Sequence, residues 1–243
     1  LEFDRAWMLV DERGVFVTQR ELPRMALVQP VLKHLDMVLR APGMLALHVS
    51  LDTVEAPVQA TVWDDTVKAY DMGDLAAQWF SDFLGRPLRL VRFDPEQRRL
   101  SSRRWTGPIE AENAFSDGFP LLVAARASLE ELNSRLPRPL PMTRFRPNLV
   151  IEGLPPYAED SVDELVFDRV ALRLVKPCSR CATTHVDQEL GEVADGPIEV
   201  LKGYRYDRAL RGVTFGQNAI IVEGIGQRLA AGISGVARYR EVG

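Results

Sequence analysis

The apolar residues of this chain arrive in short runs broken by Pro, Gly and Asp, and only rarely do they recur at helical spacing. Brief strands punctuated by turn residues constrain such a chain toward a β-rich meander that closes on itself. Trp7 to Val10 and Val15 to Thr18 flank the polar turn Asp11-Glu12-Arg13-Gly14, a hairpin signal of the longer-loop kind. Met44 to Leu47, Val58 to Trp63 and Leu88 to Phe93 continue the pattern, and Asn148 to Glu152, Glu164 to Phe167, Val170 to Val175 and Ala219 to Val222 resume it. Two segments break the rhythm. Leu75, Ala76, Trp79, Phe80, Phe83 and Leu84 have helical spacing between Asp74, a candidate N-cap, and Gly85, a candidate C′ residue. Further on, Ser128 and Glu131 read as a capping box ahead of a face formed by Leu129, Leu132 and Leu136. A short third helix is expected over 195–201, with Pro197 in its first turn.

The expected fold class is therefore α+β with strong β-barrel character, not a run of alternating βαβ units. Residues 94–113 are polar and basic, with Arg98, Arg99, Arg103 and Arg104 around two serines, and read as a long surface loop. Its charge suits docking of an acidic electron donor or gating of a pocket, and equally a solvated loop. The Pro-rich segment 137–141 is taken as a boundary, giving domains at 1–136 and 137–243.

Length and charge narrow the function classes. A chain of 243 residues that is 46% hydrophobic can bury a core without disulfides. A net charge of -4, from 30 Lys plus Arg against 34 Asp plus Glu, argues against gripping nucleic acid over the whole surface. No apolar run approaches the ~18 residues of a membrane span, and the start lacks the layout of a signal peptide, so a cytoplasmic protein without membrane attachment is expected. A strand-like run, Ala6 to Val10, begins with almost no lead-in, which leads us to expect native residues ahead of Leu1.

Both cysteines of the chain fall in one quartet, Cys178-Ser179-Arg180-Cys181. Structural zinc wants four ligands, and His34, His48 and His185 are scattered. A dithiol redox motif wants a helix after its first cysteine, and Ala182-Thr183-Thr184 gives no such signal. Two small residues in a turn after a strand is the plain alternative. The fourth reading uses Arg180: a cation beside a thiol favours the thiolate, and a lone thiolate among arginines suits a soft metal that brings its other ligands with it. The guanidinium would meanwhile pair with phosphate.

Ordered pieces of the sequence carry a family likeness. Phe145-Arg146-Pro147-Asn148-Leu149-Val150, Lys176-Pro177-Cys178-Ser179-Arg180-Cys181, Leu201-Lys202-Gly203-Tyr204-Arg205 and Phe215-Gly216-Gln217-Asn218 resemble the MOSC domain of the molybdenum cofactor sulfurase C-terminal family. Phe3-Asp4-Arg5-Ala6-Trp7, Thr18-Gln19-Arg20 with Pro23, and Phe115-Ser116-Asp117-Gly118-Phe119-Pro120 resemble the β-barrel domain preceding MOSC in bacterial YcbX-like proteins and the mitochondrial amidoxime-reducing component. The resemblance implies a β-barrel-rich MOSC domain packed on an N-terminal β-barrel domain with a few helices. It also implies a molybdopterin oxidoreductase in which Cys181 ligates molybdenum and Arg180 assists. Arg5, Arg146 and Arg180 would hold the pterin and its phosphate, with Asn148 and Asp117 nearby. The implied substrate is a small N-hydroxylated compound.

Family members carry a strand with a Lys-Ser pair ahead of the Asp4-Arg5 motif, so this first strand is expected to be missing. The end lacks the ferredoxin-like extension of some relatives, which implies a separate electron donor, a flavin or iron-sulfur reductase. The alternatives are a carrier of cofactor or persulfide sulfur without reductase activity, and a structural relic with no cofactor. Pyridoxal phosphate binding is associated with the family name, but no lysine here has a Schiff-base context.

Each residue also has a purely structural reading. Arg5 suits a rim salt bridge, Arg146 an extended strand end before Pro147, Asp117-Gly118 a turn, Asn148 a strand-start hydrogen bonder, and Cys178 a packing position. Tyr204 and Arg205 suit packing or a pocket wall. His185 is either a proton donor or a surface residue.

Overall fold

The computed structural model describes residues 3–52 and 56–241, and its strands outnumber its helices, as an α+β chain requires. The chain divides into two compact units. The first comprises residues 1–98, 114–117 and 185–195, and the second comprises 99–113, 118–184 and 196–243.

In the first unit, β1 (Trp7–Val10), β2 (Gln29–Leu32), β3 (Asp36–Arg40), β4 (Leu47–Ser50), β5 (Pro57–Val62) and β6 (Asp65–Asp71) precede helix α1 (Asp74–Leu84) and β7 (Arg89–Phe93). They form an antiparallel sheet in the order β1-β7-β6-β5 and a three-stranded sheet β2-β3-β4. The expected strand at Val15 to Thr18 is absent as an element. Val15 and Phe16 make only isolated bridges, to Thr61 and Val10, because two different neighbours share this short stretch.

The first helix follows its pattern except at Leu75, which sits in the first turn and stays exposed. Ala76, Trp79, Phe80, Phe83 and Leu84 bury one face against Leu39, Leu47, Leu88 and Leu90, and full burial of each large side chain contributes about 1.5–3 kcal/mol. Gly85, at φ 70, ends it with its N–H on the Ser81 carbonyl at 2.8 Å. The N-cap is Gly73 rather than Asp74. The Asp71 carboxylate accepts the Gly73 N–H at 2.7 Å and Arg89 bridges Asp71 and Asp74, so the start is fixed from the preceding strand. Burial works to raise the Asp71 carboxyl, but hydrogen bonds from Arg89 and Gly73 more than offset it and hold it below the ordinary carboxylate range.

The second unit contains α2 (Arg103–Thr106), β8 (Leu121–Ala125), α3 (Arg126–Arg135), β9 (Leu149–Ile151), β10 (Val162–Phe167), β11 (Val170–Ser179), α4 (Ile198–Lys202), β12 (Tyr206–Asp207), β13 (Gly212–Glu223) and β14 (Gly235–Tyr239). Its sheet runs β14-β10-β11-β13-β8-β9, with β12 on β13, and is antiparallel except where β8 meets β9. The Pro-rich segment 137–141, expected at a boundary, lies inside this unit. Residues 121–125 pair with β13 and β9, which ties this stretch to the C-terminal strands rather than to the N-terminal sheets.

Two helix expectations need correction. The capping box at Ser128 does not form: α3 begins at Arg126, its N-cap is Ala125, and no side chain caps it. Ser128 is instead buried inside the helix, where its hydroxyl donates to Glu159 at 2.8 Å and accepts the Tyr157 N–H at 2.8 Å. Pro197 is the N-cap of α4, just ahead of its first turn. The basic stretch 94–113 is largely irregular but carries α2, which packs against β11. No helix among the described residues is long and apolar enough to cross a membrane.

Candidate functional site

Strand β11 carries the quartet outward. It does not stop at Val175 but runs through Pro177 and Cys178 to Ser179. Lys176 pairs with Asn218, Pro177 with Gln217 and Ser179 with Thr214 on β13. Between the last two pairs β13 holds an extra residue, and Gly216 sits there at φ 76. A Cβ at Gly216 would lie 2.6 Å from the Val123 carbonyl oxygen, so glycine is what this bulge admits. Cys178 is thus a strand residue rather than a turn residue.

Arg180 follows the strand and ties three chain segments together. Its backbone N–H donates to the Val213 carbonyl at 2.8 Å, Nη2 donates to the Phe145 carbonyl at 2.7 Å, and Nη1 lies 3.0 Å from the Cys178 sulfur. The guanidinium stands over the Phe145 ring, 5.6 Å from its centroid, and Phe145 stacks on Phe215 at 4.0 Å. Arg180 Nε is buried and has no hydrogen-bond partner among the described residues. The cation therefore touches Cys178, while the exposed Cys181 thiol faces the Thr183 hydroxyl at 3.3 Å. The Cys181 carbonyl accepts from the Thr184 N–H and hydroxyl, which anchors the turn after the quartet.

Residues 145–148 reach the same place through Phe145. Arg146 ends a 3-10 turn at Met142–Phe145, exposed and left-handed at φ 53, not in the extended form that the following proline favours. The Thr143 carbonyl accepts its N–H at 3.2 Å and stabilises that geometry. Asn148 is a strand-start clamp: its side-chain oxygen accepts the Leu122 N–H at 2.8 Å and its own N–H donates to the Leu122 carbonyl at 2.8 Å. Arg146, Asn148, Arg180 and Cys181 thus all belong to the second unit.

Arg5 and Asp117 belong to the first unit. Arg5, at φ 51, pairs with Asp4, and its carbonyl accepts the Phe115 N–H at 3.1 Å, drawing segment 114–117 to it. Asp117 accepts the Trp63 indole N–H at 3.0 Å, and Arg20 lies over that indole at 4.9 Å. His185 lies in segment 185–195 of the same unit, where its carbonyl accepts the Ala194 N–H.

Behind the quartet, the second unit holds a polar network that no local sequence pattern signals. Arg205 pairs with Asp160 at 2.6 Å, lies over the Tyr157 ring at 4.4 Å and reaches the Thr214 hydroxyl at 3.3 Å. Gln217, fully buried, donates to Asp160 at 2.7 Å. The Tyr157 hydroxyl donates to Glu131 at 2.6 Å and lies 2.7 Å from the Tyr204 hydroxyl. Burial and the contact with Glu131 push the Tyr157 phenol well above its ordinary range. For Glu131, burial works upward, but hydrogen bonds from Tyr157, Arg135 and Tyr204 hold the carboxyl below its usual range. Tyr204 and Arg205 are therefore packing and anchoring residues. Thr214 faces Ser179 across the ladder, so the Arg205 anchor bears on the residue beside Arg180.

Among the described residues no three His, Cys, Asp or Glu side chains converge to hold a metal ion. A metal at Cys181 would have one thiolate from the chain and would need its remaining ligands from its own cofactor.

Family models match two stretches, a MOSC N-terminal beta barrel domain at residues 1–87 and a MOSC domain at residues 110–232, which contains Arg146, Asn148, Arg180 and Cys181. Mitochondrial amidoxime-reducing component 1 of Mus musculus is 39% identical over 209 residues, covering 83% of this chain and 61% of that protein. Its Homo sapiens counterpart is 37% identical over 208 residues, covering 83% and 62%. Mitochondrial amidoxime reducing component 2 of Rattus norvegicus is 35% identical over 211 residues, again covering 83% and 62%. The chain thus spans about three fifths of the length of these curated relatives.

Proposed function

This chain belongs to the MOSC-domain family, and from that membership we propose that it is an oxidoreductase that binds a molybdenum cofactor and reduces N-hydroxylated compounds. The observation that carries the reading is the exposed Cys181 thiol just beyond the end of β11, following an arginine whose buried Nε has no acceptor among the described residues.

The residues fit such a group. A single soft thiolate suits a metal that arrives already chelated by a pterin. The orphaned Arg180 Nε and the exposed Arg146 guanidinium are donors for an anionic phosphate or pterin oxygen. Cys181 would ligate the metal, and Arg180 would bind the cofactor while fixing Phe145 and hence Arg146. Asn148 sets the point at which β9 leaves, which keeps the 145–148 path short and taut. When bound, the molybdenum cofactor supplies the redox chemistry, in which two electrons and two protons convert an N–OH group to N–H and water. Those electrons are proposed to come from a separate donor protein, a flavin or iron-sulfur reductase.

Elemental analysis tests this directly. Full-length protein purified from cells that make the cofactor should carry close to one molybdenum per chain and reduce an aryl amidoxime with a chemical donor. Cys181→Ala should lose the metal and the activity, whereas Cys178→Ala should keep the metal. Well-folded, metal-free wild-type protein would refute the reading, and persulfide on Cys181 without reductase activity would replace it with the carrier role.

A further inference from the structure

Side chains two apart on a strand share a face. Lys176 and Cys178 are such a pair on β11, and they lie in a stretch where the irregularity of the ladder falls on β13. Lys176 is half-buried, and its ammonium lies against two half-buried aromatic rings, 5.3 Å from the centroid of Trp105 and 5.7 Å from that of Phe119. Trp105 comes from α2, the helix that packs on β11, and it carries a second cation, Arg104, at 5.4 Å. One pleat further along, Arg180 places its guanidinium on Cys178. The end of β11, which carries Cys178 and leads through Arg180 to Cys181, is therefore flanked by a pair of aromatic surfaces and by a row of cations.

We propose that Trp105, Phe119 and Lys176 form a substrate subsite that takes the ring of an aromatic N-hydroxylated compound whose polar end is neutral or anionic. This deepens the reductase reading and rests on it. The ring of the ligand stacks on Trp105, since aromatic faces pair favourably in offset or edge geometry. The ammonium of Lys176 shifts from ring to ligand and donates a hydrogen bond to the N-hydroxy oxygen, the atom that must be held near the reacting centre. A cationic ligand meets the opposite situation, because the Lys176 ammonium that turns toward the ligand and the neighbouring Arg104 guanidinium both repel its charge. Lys176 is thus a specificity-determining residue, selecting against substrates that carry positive charge.

The test compares two ligands of similar size, a neutral aryl amidoxime and an aryl N-hydroxyguanidinium that is cationic near neutral pH. Their dissociation constants are measured by titration calorimetry on the holoenzyme, and their KM values by turnover. The wild type should favour the neutral ligand. Lys176→Met should weaken the neutral ligand and tighten the cationic one, each by about fivefold, with Lys176→Arg restoring the wild-type order. Trp105→Ala should weaken the aryl amidoxime about fivefold relative to an aliphatic one. If Lys176 only tethers α2 to the strand, Lys176→Met shifts both ligands in the same direction, and that result, or no shift at all, overturns the proposal. Diverging dissociation constants without turnover would uphold the subsite while removing the reductase reading.

Discussion

Replacing Ser128 by alanine separates two accounts of α3 and has a cost that depends on pH. The Ser128 hydroxyl and the Glu159 carboxyl are both fully buried, and the hydroxyl serves as donor to Glu159 and acceptor for Tyr157 N–H. Ser128→Ala removes both bonds. Stranding a buried backbone N–H costs about 1–2 kcal/mol, and losing a donor to a carboxylate costs about 2 kcal/mol when it is charged but about 1 kcal/mol when it is neutral. The variant is therefore expected to lose about 2.5 kcal/mol while Glu159 is protonated and about 3.5 kcal/mol once it is charged. The sign follows from linkage. Burial raises the Glu159 carboxyl above its ordinary value of 4.5, with Ser128 the leading influence in the other direction. A carboxyl raised on folding favours the folded state below its unfolded value and loses that contribution as pH climbs through the folded value. Removing Ser128 pushes Glu159 higher still, so the two curves fall in parallel above 4.5 and the gap between variant and wild type opens only once pH passes the raised wild-type value. Urea unfolding midpoints at a series of pH values read this out, with Glu159→Gln as the control that should flatten the dependence. A loss below about 1 kcal/mol that is the same at every pH would be the behaviour of an ordinary N-cap and would refute the buried-pair account.

Two more outcomes rest on the packing. Asp71→Asn should destabilise the first unit by about 1 kcal/mol at neutral pH, a modest figure because Arg89 is 42% exposed and screened by solvent. The Asp71 carboxyl is lowered on folding, so its contribution is present above the ordinary value of 3.8 and lost as pH falls through the folded value; acid melts of variant and wild type should converge there. Gly216→Ala forces a left-handed alanine onto the Val123 carbonyl and should cost at least about 2 kcal/mol. A thermal midpoint lowered by about 4–8 °C, together with reduced molybdenum content, is the expected result; an unchanged midpoint would mean that the bulge relaxes freely.

Where the sequence was legible, short-range signals agreed with each other. The α1 segment combined a helical stripe with a glycine at its end, and both survive in the folded chain. Ser128 shows the opposite case. Its local neighbour Glu131 completed a familiar motif, but the partner it actually uses is Glu159, brought near by tertiary packing that no window of sequence contains. The reading of the two cysteines as small residues in a turn after a strand missed in a similar way, since β11 continues through Pro177 and Cys178 on a ladder that already slips at Lys176 and Ser179 and so accommodates a residue without an N–H. At the candidate site, the quartet and its arginine stood out because both cysteines fell within four residues. The pairing of Arg180 with Cys178 rather than Cys181, and the capture of Lys176 by Trp105 and Phe119, depend on which strand face each side chain takes and on where α2 comes to rest.

The parallel pairing in the second unit bears on how such chains can vary in length. Between β8 and β9 the chain crosses over through α3, and the exposed prolines Pro137 and Pro139 lie inside a loop that Asn133 closes by bonding both the N–H and the carbonyl of Leu140. Residues added at 137–139 would lengthen that loop without moving either anchor. From Phe145 to Asn148 no such slack exists, because Arg180 holds one end and Leu122 the other. A single inserted residue there would break the Arg180 bond to the Phe145 carbonyl or pull β9 out of register. Among homologous chains, insertions and deletions should therefore collect at the proline loop and avoid the four residues, 145–148, that carry the arginine.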